Sequence, residues 1–453
     1  MSQRRSAHPD PSRTRTRVDR RTFLKTLTIA SAGLTIGRPA LPLAASLPKA
    51  KITKVRVYRP PTLNDIFNQS NMVVIVDTDQ PGLFGVGEGG SRDTLEQCAG
   101  RLIGKNPFDI ERCWQDMYRA WFYPPGREKI HGLGALDLAL WDIKGKALGV
   151  PVYDLMGGMN RTYLESYLGG GGTGTQLREN ARRAIEQGYR AFRMDAASVG
   201  GGPGGAPSAA GAAGGPVPPP LDVPRTLPGP VYDTHERVRQ VARDCKDMRE
   251  GVGPNGDWLI DLHQRFDFAD GLRACKLIEE YEPYLVEDPT RTEHFLADIP
   301  KLRQLTTVPL AAGEEWGQRW DFNTLVENHD IDYVRCTLPN VGGITEMVKI
   351  AALCETHAVG IVPHFTGPIS TAALVHAIGP FSGPVMVEIG SNTRPAAHIN
   401  EGLDFKNGKI WPNQRPGLGV TLNMAQLTLV TEITQAGTGR TTYFRPDGSQ
   451  GSW

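Results

Sequence analysis

Short apolar runs that each end in a carboxylate recur at an even spacing in the second half of the chain. The first three end at Asp261, Glu287 and Glu314, and the interval from each carboxylate to the next is nearly the same. A parallel strand with its crossover helix takes about 25–30 residues, which matches both intervals. The pattern therefore predicts successive parallel strands, each with an acidic residue at its C-terminal end.

The same step continues beyond the three acids. After Glu314, polar residues end the next apolar runs at Thr337, His364 and Glu388, again at nearly equal intervals. A near-constant step is typical of repeated βα units, whose strand ends converge on one face of a closed barrel. Eight barrel strands are predicted, over residues 162–168, 191–195, 258–261, 284–287, 309–313, 333–337, 360–363 and 384–387.

The region before the barrel has a different pattern. Residues 50–160 predict an α+β unit with three strands followed by helices, and the last helix is stopped by Gly149-Val150-Pro151. The barrel is assigned to residues 161–400, and residues 401–453 form a C-terminal segment. The predicted elements of the first unit are strands over residues 51–58, 72–77 and 82–88, and helices over 94–102, 110–121 and from 135 onward.

One interval breaks the barrel step. The interval from Arg193 to Asp261 is more than twice as long as the others, and the excess is an insertion over residues 199–230, more than half of which is Gly or Pro. Such a segment does not form a regular helix or strand. It follows a barrel strand, so it emerges on the catalytic face. It either covers a substrate, contacts a second subunit, or is a tolerated flexible insertion.

The N-terminus predicts export. Residues 19–25 resemble the twin-arginine motif around Arg20-Arg21, and the apolar run over residues 27–36 is too short to span a bilayer. Residues 1–45 are therefore interpreted as a twin-arginine signal, which carries folded proteins to the periplasm. No stable membrane association is expected after its removal.

Composition adds little beyond exclusions. The net charge of +1 indicates no nucleic-acid partner, and an apolar content of 40% is enough for a sizeable core. The six cysteines are scattered without metal-binding spacing, and we interpret most of them as small buried apolar residues.

The segment from Ala135 to Gly158, together with the order of the three carboxylates, resembles the enolase superfamily in its mandelate racemase and muconate lactonizing enzyme branch. The closest resemblance is to mannonate and galactonate dehydratase-like acid-sugar dehydratases. It implies an α/β fold, a modified (β/α)7β TIM-like barrel with an N-terminal α+β capping domain. It also implies that the loop over residues 59–70 closes on the substrate, that residues 412–420 return to the cap, and that the protein is a homo-oligomer.

Asp261, Glu287 and Glu314 are the predicted metal ligands. Three carboxylates that converge on one barrel face repel one another unless a cation holds them, and oxygen ligands suit a hard ion such as Mg2+. Glu315 is the neighbouring candidate. Alternation along the strand directs only one of this pair inward, and the resemblance favours Glu314.

His263 and Arg193 are predicted to be catalytic. His263 lies two residues after Asp261, so an extended strand places both side chains in one cavity, where an imidazole can transfer a proton near neutral pH. The Asp-x-His pattern is similar to that of acid-sugar dehydratases, whose histidine is catalytic. Arg193 stands where many relatives carry a Lys-x-Lys base. It resembles the arginine of mannonate dehydratases that works with a tyrosine of the following loop, and it also suits binding of a substrate carboxylate.

His364 and Glu388 complete the predicted site. Related galactonate-type dehydratases pair a histidine at the His364 position with an Asp one strand earlier. The corresponding segment here, Arg335-Cys336-Thr337, contains no carboxylate. No His–Asp dyad is expected, and His364 is assigned to catalysis or to substrate binding. By the same resemblance, Glu388 contacts the substrate.

The function predicted from these residues is a Mg2+-dependent aldonate dehydratase, a hydro-lyase for a small acid-sugar substrate. The enzyme would remove the C2 proton and eliminate the 3-hydroxyl, which yields a 2-keto-3-deoxy acid. Two alternatives remain open at this point. One is a racemase or epimerase of the same superfamily, and the other is a non-catalytic exported protein that binds sugar acids.

Overall fold

A computed structural model describes residues 47–63, 70–121, 125–195, 233–291, 295–389, 396–437 and 442–451. Several predictions lie outside these ranges. They are the export signal over residues 1–45, residues 64–69 of the closing loop, and the insertion over residues 199–230. Within the described ranges, no helix combines the length and the apolar character needed to cross a membrane.

The first part of the chain forms an antiparallel sheet covered by helices. Strand pairing is continuous from the first strand to the third, and buried valines such as Val55, Val57 and Val74 pack beneath the helices. The elements are β1 (Ile52–Arg59), β2 (Val73–Thr78), β3 (Phe84–Glu88), α1 (Arg92–Ala99), α2 (Ile110–Arg119) and α3 (Arg127–Leu148). Helix α3 begins two turns earlier than predicted. It ends as predicted, at Gly149, whose φ of 70° favours glycine.

The central part is a barrel of eight parallel strands in which each of the first seven is followed by a helix. The strands are β4 (Leu164–Gly170), β5 (Ala191–Asp195), β6 (Asp257–Asp261), β7 (Leu285–Glu287), β8 (Leu310–Ala312), β9 (Tyr333–Val334), β10 (Gly360–Ile361) and β11 (Met386–Ile389). The helices are α4 (Gly174–Glu186), α5 (Thr234–Val252), α6 (Phe268–Ile278), α7 (Phe295–Arg303), α8 (Arg319–Glu327), α9 (Ile344–Thr356) and α10 (Pro368–Ile378).

Pairing between neighbouring strands closes this ring. Parallel ladders run in order from β4 to β10, and β11 pairs with β4. A bridge between Ile361 and Val385 joins the last two strands. The predicted (β/α)7β barrel with an α+β cap is therefore confirmed.

Strands β9 and β10 are shorter than predicted, but the barrel ladder continues past them. The backbone N–H of Arg335 donates to Ala312 O at 2.8 Å, and that of Val362 donates to Val334 O at 3.0 Å. The residues just after β9 and β10 therefore keep a place in the barrel wall.

The C-terminal segment touches both parts of the molecule. Its elements are β12 (Ile399–Glu401), β13 (Asp404–Lys406), β14 (Lys409–Trp411), β15 (Thr421–Leu422), β16 (Thr428–Ile433), β17 (Tyr443–Phe444) and β18 (Gln450–Gly451). Strand β14 pairs with the beginning of β4, and β16 pairs with β1. The cap sheet therefore has the order β16-β1-β2-β3, with one strand contributed by the end of the chain.

Buried carboxylates of the cap hold two barrel helices by their N-termini. Glu88 at the end of β3 accepts from the N–H groups of Ile369 and Ser370 at 2.8 and 2.9 Å, in the first turn of α10. Asp137 on α3 accepts from Thr345 N at 2.9 Å, in the first turn of α9. These N–H groups have no partner within their own helices, and the helix dipole favours an anion there. Both helices follow strands that lead into the site described next.

Candidate active site

The structure brings Asp261, Glu287 and Glu314 together at one end of the barrel. Asp261 and Glu287 end β6 and β7 and lie side by side in the parallel register, and Glu314 follows β8. One ligand atom from each residue lies within 4.8 Å of the other two. These are the carboxylates that the sequence spacing predicted to converge.

The surroundings of this cluster fit a cation. Burial raises the pKa of Glu287 to about 7. Burial, together with the charges of Asp261 and Glu287, raises the pKa of Glu314 well above its usual range. Glu314 Oε2 is a buried oxygen whose neighbour among the described residues is His364 Nε2, at 3.1 Å, and this contact lacks hydrogen-bond geometry. Three buried carboxylates that repel one another and offer oxygen atoms match the ligand preference of a hard divalent ion such as Mg2+.

His263 reaches the cluster, but not in the way that strand alternation predicted. Strand β6 ends at Asp261, and His263 and Gln264 adopt left-handed backbone with φ of 49° and 53°. This conformation is uncommon for residues other than glycine. The turn places His263 Nε2 at 2.7 Å from Asp261 Oδ2, while the His263 N–H donates to Asp261 Oδ1 at 2.8 Å. Although burial alone would raise the pKa of Asp261, His263 and Arg193 lower it below its usual range.

Arg193 projects from β5 into the same site and contacts three acids. Its Nη1 lies 3.4 Å from both Asp261 Oδ2 and Glu287 Oε2, and its Nη2 lies 2.9 Å from Glu388 Oε1. The side chain is almost completely buried. Arg193 therefore links the carboxylate cluster to the end of β11. The tyrosine expected to work with Arg193 is not placed, because Tyr232, the first tyrosine downstream, is not among the described residues.

Glu388 has hydrogen-bond donors on both oxygens. Oε1 faces Arg193, and Oε2 accepts from Arg335 Nη2 at 2.7 Å and from Phe365 N at 3.0 Å. Burial opposes ionisation, but Arg193, Arg335 and His364 together lower the pKa of Glu388 to about 2. Glu388, at the end of β11, therefore favours its ionised form.

His364 lies on the other side of the cluster from His263. Its Nε2 is 3.1 Å from Glu314 Oε2, and its Nδ1 is 3.4 Å from Thr337 Oγ1. The neighbour of His364 Nδ1 is thus a hydroxyl group, and the segment Arg335-Cys336-Thr337 contains no carboxylate. Burial, with Arg335 and Arg193 adding to it, lowers the pKa of His364 to about 3. Burial therefore disfavours the protonated form of this histidine.

The sequence interpretation missed two charged residues of the site. Arg335 is completely buried and contacts Glu287 and Glu388. Asp288 is also buried, has a φ of 47°, and accepts from Gln264 Nε2 at 3.1 Å. A signal for Arg335 was present in the sequence, because a charged residue within an apolar strand needs a buried partner.

Two family descriptions match the chain. The description "Mandelate racemase / muconate lactonizing enzyme, N-terminal domain" matches residues 49–157. The description "Enolase C-terminal domain-like" matches residues 176–426. The two matches correspond to the cap and to the barrel with its C-terminal extension.

Curated relatives are similar over most of their length. The D-galactonate dehydratase of Xanthomonas campestris pv. campestris (strain B100) is 33% identical over 377 residues, which are 79% of this chain and 90% of the relative. The D-galactonate dehydratase of Pectobacterium atrosepticum is 29% identical over 422 residues, which are 89% of this chain and 100% of the relative.

Solved structures share the fold. An enolase from Pantoea ananatis with bound D-gluconate and Mg has a TM-score of 0.74 and 27% identity, over 83% of this chain and 94% of that chain. A member of the enolase superfamily from Salmonella Typhimurium has a TM-score of 0.72 and 25% identity, over 85% of this chain and 100% of that chain.

Proposed function

We propose that this chain, which belongs to the mandelate racemase and muconate lactonizing enzyme family of the enolase superfamily, is a Mg2+-dependent dehydratase of aldonic acids. The observation that carries the proposal is the cluster of Asp261, Glu287 and Glu314 with His263 Nε2 at 2.7 Å from Asp261. A cation site next to a proton-transferring group is the arrangement that elimination from a sugar acid requires. The galactonate dehydratases among the relatives support the same reaction class.

The metal is assigned from the ligand atoms. Among the described residues, the three grouped ligands are all carboxylates, which favours Mg2+ over softer ions. When bound, the cation stabilises the negative charge that the substrate carboxylate gains as C2 loses its proton. The Pantoea ananatis enzyme, which was solved with Mg and D-gluconate, supports this assignment.

The residues of the chain have distinct tasks in the proposed elimination. A base takes the C2 proton, the C3–O bond breaks, and the leaving hydroxide takes a proton to become water. The resulting enol rearranges to a 2-keto-3-deoxy acid. We assign the protonation of the leaving group to His263, whose side chain is partly exposed and is oriented by Asp261. We assign orientation of the substrate to Arg193, on the strand next to β6, and to Glu388 at the end of β11.

The pattern around the cluster favours a mannonate-like substrate preference over a galactonate-like one. Thr337, and not a carboxylate, faces His364 Nδ1, so the Asp partner that this histidine has in the galactonate type is missing here. Arg193 lies on β5, two residues before the strand ends, and resembles the arginine of mannonate dehydratases. We therefore expect D-mannonate or a close stereoisomer to be a better substrate than D-galactonate.

An epimerase is the second candidate, because two histidines flank the cluster. Epimerisation needs a base on each face of C2. Burial lowers the pKa of His364 to about 3, which makes it a poor second base and favours one-sided elimination. Exchange of the C2 hydrogen with deuterium from solvent, without formation of a keto acid, would favour the epimerase.

The proposed function is tested with a panel of aldonic acids that contains D-mannonate, D-gluconate and D-galactonate. Each acid is incubated with the protein and Mg2+, and the α-keto product is measured with and without EDTA. We expect keto-acid formation from at least one acid and its loss with EDTA. Binding of an acid that returns unchanged, without keto acid or C2 exchange, would identify a binding protein and contradict the proposal.

We also propose that residues 1–45 direct export to the periplasm by the twin-arginine route. The motif at Arg20-Arg21 supports this. The six cysteines of the chain are all buried and unpaired, so folding in a reducing compartment before export requires no disulfide. In a fusion of residues 1–50 to a reporter that must fold before export, replacing both arginines by lysine is expected to abolish periplasmic signal. Unchanged export would contradict the route.

A further inference from the structure

Arg335 is a buried cation among the acids of the site. It follows β9, and its exposed fraction is 0%. Its backbone N–H remains in the barrel ladder through the bond to Ala312 O at 2.8 Å. A guanidinium in such a position is unfavourable unless most of its N–H groups are paired.

The partners of Arg335 lie in three directions. Its Nε donates to Glu287 Oε1 at 2.6 Å, and its Nη2 donates to Glu388 Oε2 at 2.7 Å. Its Nη1 donates to the carbonyl oxygen of Val362 at 2.7 Å. A guanidinium is planar and its donors point along fixed directions. One side chain therefore sets the positions of two carboxylates relative to the backbone that leads to His364.

These contacts restrict how Glu287 can bind a metal ion. Oε1 of Glu287 accepts from Arg335 Nε at 2.6 Å, whereas Oε2 has the longer contact of 3.4 Å to Arg193 Nη1, so Oε2 is the oxygen available to a cation shared with Asp261 and Glu314. The same guanidinium holds Glu388, whose other oxygen is 2.9 Å from Arg193. Arg335 thus connects the metal ligands to the opposite wall of the barrel mouth.

We propose that Arg335 is a positioning residue that makes Glu287 a one-oxygen ligand of the metal ion and holds Glu388 against Arg193. A purely electrostatic role would need only a positive charge, which lysine also supplies. The positioning role needs the planar fork, which lysine lacks. The inference rests on the metal site of the proposed function and is independent of which reaction the site catalyses.

The test measures Mn2+ binding to the metal-free protein, with the electron paramagnetic resonance signal of free Mn2+ as the readout. In the deciding variant, Arg335→Lys, we expect the affinity for Mn2+ to fall at least tenfold, because Glu287 loses the donor that orients it. A decrease of less than tenfold, an unchanged affinity or a tighter site would overturn the proposal. The measurement contains no substrate, so a negative dehydratase assay does not affect it.

Arg303→Lys is the matched control. Arg303 forms a two-point ion pair with Asp332 at the other end of the barrel, at 2.8 and 3.3 Å. This variant also loses a planar fork, but it lies away from the carboxylate cluster. Its Mn2+ affinity is expected to stay within threefold of the parent protein. An equal loss in both variants would indicate general loosening of the barrel and would overturn the proposal.

A crystal structure of the unmodified protein with Mn2+ decides the question independently of whether Arg335→Lys folds. We expect one oxygen of Glu287 on the metal and the other on Arg335 Nε. Coordination of Mn2+ by both oxygens of Glu287 would overturn the proposal.

Discussion

At the scale of single residues, each acid of the cluster has a different neighbour. Asp261 accepts from His263, Glu287 accepts from Arg335, and Oε2 of Glu314 lies 3.1 Å from His364 Nε2. Their proton affinities differ accordingly, since burial raises the pKa of Glu314 while His263 and Arg193 lower that of Asp261. Glu314 is thus the ligand whose charge depends most on a bound cation.

His263→Asn is expected to abolish dehydration while leaving the metal site intact. Asparagine tolerates the left-handed backbone at φ 49°, so the N–H that donates to Asp261 is preserved. Loss of a general acid typically lowers kcat by about 10²–10⁴-fold. The measurement is the rate of keto-acid formation together with Mn2+ affinity, which should change by less than about threefold.

The control for this variant is His329→Asn. His329 is an exposed histidine that also has left-handed backbone, with φ of 55°, and it follows α8. Its replacement should leave turnover unchanged. Retained turnover in His263→Asn would remove His263 from the mechanism.

Glu314→Gln is expected to remove the stabilisation that Mg2+ provides. A metal ion that binds only the folded protein stabilises it by about 2.7 kcal/mol when the free ion concentration is a hundred times the Kd. The melting temperatures are measured at about pH 8, where carboxylates ionise more readily. The variant lacks one ligand and should show no Mg2+-dependent rise in melting temperature. Its metal-free form should melt above the metal-free parent, because one of three mutually repelling carboxylates is gone. A Mg2+ shift of the same size in both proteins would contradict the assignment.

At the scale of elements, the helices behind the site are held by acids that come from the cap. Glu88 occupies the N-terminus of α10, so closely that a Cβ on Gly367 would lie 2.3 Å from its carboxyl carbon. Asp137 occupies the N-terminus of α9 in the same way. Helices α9 and α10 follow the residues Thr337 and His364, so these two acids of the cap contribute to the placement of the site.

Glu88 makes the stability of the protein depend on pH. Burial raises the pKa of Glu88 from 4.5 to about 8 in the folded chain. Between these values the folded state holds a proton that the unfolded state has lost. The stabilisation is therefore fully present below about pH 4.5 and decreases as the pH rises through about 8, by at most about 1.4 kcal/mol per pH unit.

The measurement compares melting temperatures of the parent and of Glu88→Gln from pH 5 to pH 8. Glutamine keeps an acceptor for Ile369 and Ser370 but does not titrate in this range. We expect the parent to lose stability relative to the variant as the pH rises. A constant difference between the two proteins would show that Glu88 is ionised throughout this range.

At the scale of the whole molecule, the end of the chain completes the cap that begins it. Strand β16 pairs with Val55 to Arg59 of β1, and without it that edge of the sheet is open. The hairpin of β17 and β18 lies on the cap surface, where Asp116 accepts from Thr442 Oγ1 at 2.9 Å and from the side chain of Gln450. The two pieces of the C-terminal segment therefore differ in what they support.

Two truncations separate these roles. A chain that stops after residue 437 loses the hairpin but keeps β16 and the Lys105–Asp116 ion pair, so we expect it to fold with a loss of about 2 kcal/mol. A chain that stops after residue 427 also loses β16 and is expected to be insoluble. Unfolding curves and the soluble yield of each chain are the measurements. Native stability of the shorter chain would show that the cap does not need β16.

The homo-oligomer predicted by resemblance stays a prediction.

The sequence by itself determined the fold class, the family resemblance and the three converging carboxylates. Each of these depends on a local regularity: the period of a βα unit, alternation along a strand, and the carboxylate that ends a strand. The acids at 261, 287 and 314 could therefore be placed by counting, and both the (β/α)7β barrel and the family are confirmed.

Only the tertiary structure decided how the charges around that cluster are paired. The contacts of Arg335 join acids that belong to other strands, far away in the chain, and they depend on the register between strands and on side-chain rotamers that no local pattern encodes. His263 reaches the cluster through a left-handed turn and not through strand alternation. Glu88 and Asp137 cap helices that lie much further along the chain. These pairings form because buried charges and helix N–H groups must find partners in three dimensions.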